Sequence, residues 1–367
     1  MRRTRVLNRV SLWQHELPYI TPMYAIKSND NPHLASWLHG AGVGFDCASA
    51  PEIKRALATG STNIIYANPC KAESHIMSAM ADGCNLTTVD DVAEIHKLVD
   101  IGYRGDILIR LKVDDAASKM PFSKKFGCPM TYLESVLAAA ASALVPVRGF
   151  SFHVGSEAAA GTQFTNALHD AAAGFELAKK YGFTPDHIDI GGGFPGGTDV
   201  AALAKFREHA TAIRDAAPLF PKGVRWLAEP GRFFSASSTI LFVRVTSERP
   251  SYNYPGSQVI TVNESTYGMF SNIMYDMQRP KFEKVEFNFE DTFDCSAHTV
   301  SESLVPTVIF GQSCDSMDLI AEGVMLPRIK RGDYLKIDNM GAYSAVSCST
   351  GFNGGFNGFE RTEHVLA

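Results

Sequence analysis

Short apolar runs alternate with amphipathic stretches through the first two-thirds of the chain. Runs at 22–27, 44–48, 63–67, 86–89, 107–111, 148–154, 187–190 and 225–228 predict eight strands. Helices are predicted between them at 32–39, 51–59, 73–81, 92–99, 132–143, 163–180 and 200–217. Asn31, Asp91, Thr131, Thr162 and Asp199 stand where helix N-caps belong, because their side chains accept from the unpaired amides of a first turn. A helix between successive strands makes those strands parallel. Eight such units predict an α/β fold of the closed (β/α)8 kind, a TIM-type barrel, rather than an open sheet. Ahead of the first strand, Val6, Val10, Leu12 and Trp13 line the buried face of a further helix. Arg2, Arg3, Arg5 and Arg9 in the same stretch also suit a transit peptide, the weaker of the two readings.

After about Arg232 the alternation stops. Runs at 239–245, 258–262, 305–309, 334–337 and 342–346 predict strands, with turn signals at Tyr254-Pro255-Gly256 and Arg331-Gly332-Asp333. The expected organisation is a barrel over 1–234 followed by a smaller, mainly-β domain over 235–367. The charge-rich stretch 281–294 reads as an exposed excursion.

A chain of 367 residues can bury two such cores, and 45% apolar with 20% charged residues is ordinary for a globular protein. The formal net charge of −5 gives no reason to expect nucleic acid. The longest apolar run, near 136–145, is too short to span a bilayer, so no membrane partner is expected. The seven cysteines are Cys47, Cys70, Cys84, Cys128, Cys295, Cys314 and Cys348. None forms a C-x-x-C pair, so no metal is expected, and an odd, scattered set fits reduced thiols in the cytoplasm.

The strand ends change the picture. Lys27, Asp46, Asn68, Asp90, Arg110, His153, Gly191–Gly193 and Glu229 each fall near or just past the end of a predicted strand. A single polar strand end means nothing, but in a barrel all these ends meet on one face, where active sites sit. A lysine such as Lys27 is ordinarily just solvated; held in a cavity, its amine can condense with an aldehyde. Gly191-Gly192-Gly193 after the seventh strand is either a flexible turn or a place where amides approach a phosphate, and its position favours phosphate. It is neither the G-x-G-x-x-G fingerprint nor a Walker loop. In Glu229-Pro230-Gly231-Arg232, the arginine can hold a phosphate dianion and the glutamate a protonated ring nitrogen, against a surface ion pair of little worth. His153 is either structural or a flat partner for a flat ring, and Ser156 can donate to phosphate. Cys314, beside Asp315 and Asp318, is a thiol that neighbouring carboxylates would keep protonated, suiting a proton donor; a packed cysteine is the plainer reading.

Taken in order, Tyr24-Ala25-Ile26-Lys27, Phe45-Asp46-Cys47-Ala48-Ser49, Phe152-His153-Val154-Gly155-Ser156, Asp189 through Gly196 and Ala228 through Arg232 resemble the barrel-type pyridoxal-phosphate decarboxylases of ornithine, diaminopimelate and arginine. Tyr275-Asp276, Cys314-Asp315, Met340-Gly341-Ala342-Tyr343 and Phe356-Asn357-Gly358-Phe359 extend the resemblance over nearly the whole chain. It implies that Lys27 carries pyridoxal 5'-phosphate as a Schiff base, that His153 stacks on its ring, and that Glu229 holds the pyridine nitrogen. Ser156, Gly192, Gly193, Gly231, Arg232 and Tyr343 then face the phosphate, with Asp46, Glu52 and Arg110 beneath Lys27. Cys314 would protonate the carbanion left by carbon dioxide, and Tyr275, Asp276 and Asp315 would receive the substrate. The implied activity is decarboxylation of L-ornithine to putrescine in polyamine biosynthesis. The implied assembly is a homodimer in which Cys314 and Asp315 enter the partner's site, and the family also brings an antizyme-type regulator.

Lysine, arginine and diaminopimelate are the nearest alternative substrates. Asp315 stands where diaminopimelate enzymes generally carry Glu, and Glu229 stands where racemases of this fold carry Arg. A rival of another class is a non-catalytic antizyme-inhibitor-like protein; the presence of Lys27, Asp46, Arg110, Glu229, Arg232, Cys314 and Tyr343 argues against it. One departure from the family is that Lys27 comes very early. The piece that relatives carry before the first barrel helix, which adds strand to the β domain, is expected to be short or absent, with an unpaired sheet edge as the consequence.

Overall fold

The computed structural model describes residues 1–286 and 303–354. Cys295, the match at 356–359 and the 287–294 part of the charged excursion lie outside the described residues. The chain divides into two compact units, Val6–Phe234 and a second made of Met1–Arg5 with Ser235–Ala367. The first five residues therefore group with the second unit rather than with the barrel.

In the first unit, β1 (Ile20–Ala25), β2 (Gly44–Cys47), β3 (Ile64–Tyr66), β4 (Leu86–Val89), β5 (Asp106–Arg110), β6 (Val147–Ser151), β7 (His187–Asp189) and β8 (Arg225–Ala228) form a closed barrel in chain order. Every neighbouring pair is parallel, and β8 closes on β1 from Ile20↔Trp226 to Pro22↔Ala228. The helices are α1 (Arg3–Glu16), α2 (Pro32–Gly40), α3 (Ala50–Leu57), α4 (Glu73–Ala81), α5 (Val92–Asp100), α6 (Leu133–Ser142), α7 (Thr162–Lys180) and α8 (Val200–Ala216). Met23, Ile65, Leu108 and Leu227 pack together with Ala67 and Leu86, so side chains fill the barrel and no pore runs through it.

Local chemistry explains most helix starts. Asn31, Asp91 and Asp199 accept from the first-turn amides of α2, α5 and α8. Thr131 and Thr162 do not cap. Tyr132 precedes α6 without a side-chain bond, and Thr162 is already helical. The amides ahead of α7 find other acceptors: Gln163 takes Ala159 and Ala160, and Glu208 takes Gly161. Ser49 caps α3, and Glu52 of that helix reaches back to the Ala48 amide at 2.6 Å.

Helix α1 buries Val6, Val10 and Trp13, spaced along one helical face, while Leu12 is only half-buried. Trp13 bonds the Ile20 carbonyl at 3.0 Å and meets Phe194 and Phe233 edge-on, with centroids 5.0 and 5.4 Å away. Phe194 lies in the loop after β7 and Phe233 in the short helical turn after β8, so α1 braces both segments.

The second unit holds a six-stranded sheet in the order β11-β14-β9-β10-β12-β13. The strands are β9 (Leu241–Pro250), β10 (Gln258–Val262), β11 (Phe282–Val285), β12 (Val305–Phe310), β13 (Leu319–Leu326) and β14 (Tyr334–Ile337). Only β10 and β12 pair in parallel. Leu241, Val243, Val245, Ile260, Val262, Leu335 and Ile337 alternate along their strands into one core, the two-residue period of a half-buried sheet. The expected strand at 342–346 does not form. Tyr343 has φ 53°, outside any strand conformation, and Ala345–Ser347 is a 3-10 turn. The edge strands β11 and β13 were not legible as strands: β11 carries Glu283 and Lys284, and Gly323 (φ 71°) breaks the alternation of β13. Among the described residues, no helix is long and apolar enough to cross a membrane.

The packing of α1 yields a stability prediction. Trp13→Ala should cost the barrel about 3–5 kcal/mol through the cavity left among the phenylalanines. Leu12→Ala, at a half-buried position, should cost clearly less. Denaturant midpoints for both variants check this; equal losses would mean that α1 packs through a different face.

Candidate active site

The barrel gathers one set of polar side chains at the C-terminal ends of its strands. Lys27 sits in a single 3-10 turn, Ile26–Ser28, directly after β1. Its Nζ lies 2.9 Å from Oδ2 of Asp46 at the end of β2. The Lys27 side chain is 38% exposed and that of Asp46 is fully buried, so the amine stays reachable while its counter-ion does not. The other Asp46 oxygen, Oδ1, has no hydrogen-bond partner. Behind this pair, burial pushes the Glu52 carboxyl up, partly offset by the Ala48 amide.

Arg110 ends β5. Burial lowers its pKa, and Glu229, Asp90, Asp46 and Asp115 work against that shift. Its guanidinium lies over the Phe126 ring at 5.1 Å, and Asp90 takes the Gly127 amide at 2.7 Å. The segment after β5 is thereby fastened to the barrel end. The same segment lays the Phe122 ring edge-on to His153, at 5.1 Å. Main-chain pairing between Met120 and Ser156 joins it to the loop after β6.

His153 accepts the Gly155 amide through Nδ1 at 3.0 Å, which leaves the ring proton on Nε2. Burial, then the positive charges of Arg110 and Lys27, push its pKa well below the usual histidine range. The imidazole is neutral and flat at physiological pH.

Glu229 follows β8, and its pKa is raised far above the carboxylate range by burial, then by Asp46 and Asp189. Asp189, at the end of β7, is fully buried and also raised, by burial first. It accepts the Gly191 amide through Oδ1 at 2.9 Å, while its Oδ2 has no hydrogen-bond partner. Asp46, Asp189 and Glu229 thus crowd one end of the barrel, with Lys27 and Arg110 acting on Glu229 as nearby cations.

Glycines let the loops close on one another. A Cβ on Gly192 would lie 2.7 Å from His153 Nε2 and 3.0 Å from the Glu229 carbonyl. Gly193 has φ 103°, and a Cβ there would lie 2.8 Å from the Gly155 carbonyl. Gly231 approaches Ala25 and Ser28. Arg232 Nε lies 3.8 Å from Oε1 of Glu157, whose other oxygen takes Lys119 at 3.0 Å. These observations fit pyridoxal 5'-phosphate. The buried acids Glu229 and Asp189 suit a protonated ring nitrogen, and the glycine cradle with Arg232 suits a phosphate. Asp189 and the segment carrying Phe122 and Phe126 are the site features that sequence reasoning did not assign. An aspartate inside the apolar run Ile188-Asp189-Ile190 was the available signal.

Lys27, Asp46, Arg110, His153, Ser156, Gly192, Gly193, Glu229, Gly231 and Arg232 all lie in the barrel unit. Tyr275, Asp276, Cys314, Asp315 and Tyr343 lie in the other. There the Cys314 thiol is exposed, with Sγ 3.8 Å from Asn353 Oδ1. Asp315 accepts the Tyr267 hydroxyl and the Met317 amide, and the Tyr267 bond holds its carboxyl below the usual range. The loop is set by buried Asp318, which takes Ser265 Oγ, the Thr266 amide and hydroxyl, and the Ser313 amide at 2.8 to 3.1 Å. Asp276 is buried and Tyr275 is 69% exposed. The six described cysteines are free thiols, and no cluster able to hold a metal occurs among the described residues.

Residues 3–236 match the family model of the pyridoxal-dependent decarboxylase pyridoxal-binding domain. The chain is 34% identical to mouse ornithine decarboxylase, over 97% of its length and 77% of the relative's. It is 35% identical to antizyme inhibitor 2 of Xenopus laevis, over 94% and 75% of the two chains. The solved arginine decarboxylase of Paramecium bursaria Chlorella virus superposes with a TM-score of 0.88 at 30% identity, covering 96% of this chain and 92% of that one. With the strand-end constellation, these likenesses establish that the chain belongs to the pyridoxal-dependent decarboxylases, whose cofactor is pyridoxal 5'-phosphate.

Proposed function

We propose that this protein decarboxylates L-ornithine to putrescine, a step of polyamine biosynthesis, using pyridoxal 5'-phosphate held on Lys27. The observation that carries the reading is the reachable Lys27 amine 2.9 Å from buried Asp46, at the barrel end shared with neutral His153 and Glu229. The bound cofactor supplies an electron sink for the bond to the departing carboxylate. The chain's task is orientation and proton control. Asp46, Glu52 and Arg110 set the position and charge of the Lys27 amine. His153 would face the cofactor ring, and Glu229, with Asp189 nearby, would hold the proton on the ring nitrogen. Ser156, Gly192, Gly193, Gly231, Arg232 and Tyr343 bind the phosphate.

Cys314 delivers a proton to the substrate carbon that has lost carbon dioxide. Tyr275, Asp276 and Asp315 receive the substrate, with the two carboxylates facing its distal ammonium. Two copies form a homodimer, each lending Cys314 and Asp315 to the other's site. The exposure of Tyr275, Met277, Cys314 and Met317 supports this, since an apolar surface with a thiol and a carboxylate suits burial against a second copy. Free thiols fit the cytoplasm. Decarboxylation of lysine, arginine or diaminopimelate is the alternative activity. The likeness to a frog antizyme inhibitor supports a second reading, a non-catalytic partner of an antizyme-type regulator. A yellow holoprotein favours the enzyme, and a colourless one the inhibitor.

The direct test is product analysis after separate incubation with ornithine, lysine, arginine and diaminopimelate. Putrescine should dominate; a larger yield of cadaverine or agmatine would move the assignment to lysine or arginine. Borohydride reduction of the holoprotein should fix the cofactor on the peptide containing Lys27, and label on any other lysine would sink that role. For the shared site, Lys27→Ala and Cys314→Ala chains should each be nearly inactive and regain partial activity on mixing, because one hybrid site holds both intact residues. No recovery despite demonstrated subunit exchange would contradict the shared arrangement.

A further inference from the structure

Arg9 stands on the face of α1 that buries Val6, Val10 and Trp13, and is itself only 3% exposed. Its guanidinium is spent on main-chain carbonyls. Nη2 reaches Pro195 at 2.8 Å and Nη1 reaches Gly197 at 3.4 Å, both in the loop after β7. Nε reaches Phe233 at 2.9 Å, in the segment after β8. The group also lies 3.8 Å above the Phe233 ring. Burial lowers its pKa only to about 10, so the charge persists at neutral pH. Among the described residues, no carboxylate lies within ion-pair distance of it. An enclosed cation without a counter-ion is costly unless its donors are satisfied and an anion elsewhere gains from it.

The two loops it joins are those that carry Gly192–Gly193 and Gly231–Arg232. One side chain from outside the strand–helix repeat therefore ties together the far sides of both halves of the glycine cradle. We propose that Arg9 is a positioning residue for the cofactor's phosphate: it fixes the relative placement of the two loops and lends uncompensated positive charge behind them. The inference rests on the assignment of those loops to pyridoxal 5'-phosphate. A lysine at this position keeps a charge but cannot span three carbonyls in the planar fork of a guanidinium.

The test compares pyridoxal 5'-phosphate with pyridoxal, which lacks the phosphate, on full-length chain freed of cofactor by dialysis. Each is titrated by its absorbance. In Arg9→Met, affinity for pyridoxal 5'-phosphate should fall about ten- to hundredfold, as for the loss of charged hydrogen bonds. Affinity for pyridoxal should change little, and Arg9→Lys should recover part of the loss. Should Arg9→Met not fold, Arg9→Lys alone decides the matter, with a smaller but phosphate-specific loss expected. An unchanged ratio of the two affinities, or an equal fall in both, would overturn the proposal and leave Arg9 a packing residue. Failure of the unaltered chain to bind pyridoxal 5'-phosphate would instead overturn the assignment of the loops.

Discussion

The constraint on which the site depends is the crowding of buried acids at one end of the barrel. Asp46 and Asp189 add to the burial that raises the Glu229 pKa, and Asp46 adds to that of Asp189, with Lys27 and Arg110 as the nearby cations. Burial alone would simply keep such acids protonated. Here Lys27 and Arg110 pull the other way on Glu229, and Arg110 does so on Asp189. The same cations and the same burial keep His153 neutral. A protonated pyridine ring is a planar cation, and a neutral imidazole beside Glu229 leaves it room without like-charge repulsion.

That arrangement requires the loops after β6, β7 and β8 to lie nearly in contact, and glycine makes this possible. Any side chain at Gly192 would collide with His153 and with the Glu229 backbone. The rest of the barrel unit holds those loops in place. Trp13 wedges between Phe194 and Phe233, Glu208 takes the Gly161 amide, and Asp189 takes the Gly191 amide. In the second unit, Asp318 does comparable work for the loop of Cys314, with four hydrogen bonds to a carboxylate that is only 1% exposed.

Much of this was legible in the sequence, because a barrel of alternating strands and helices repeats its pattern and its strand ends fall in register. The strands 86–89 and 225–228 are found where the apolar runs place them. Caps such as Asn31 and Asp199 could be read because a side-chain oxygen before a helix has one obvious use. Thr162 misled because Gln163 and Glu208 already satisfy the neighbouring amides, one of them from a distant helix. The run at 342–346 looks like a strand, but Tyr343 adopts a left-handed backbone that no local propensity announces. Asp189 and Arg9 escaped for a related reason. Each is a charged residue on an apolar face, and its use appears only when separate loops come together.

The central proposal is that Glu229, among the buried acids at the barrel end, would hold a proton on the cofactor's ring nitrogen. It is tested most directly by nitrogen NMR of holoprotein carrying pyridoxal 5'-phosphate labelled with nitrogen-15 in the ring. The account predicts a protonated ring nitrogen in the unaltered protein through neutral pH, and an unprotonated one in Glu229→Gln. An unprotonated ring nitrogen in the unaltered protein, or a protonated one that Glu229→Gln leaves unchanged, would contradict it.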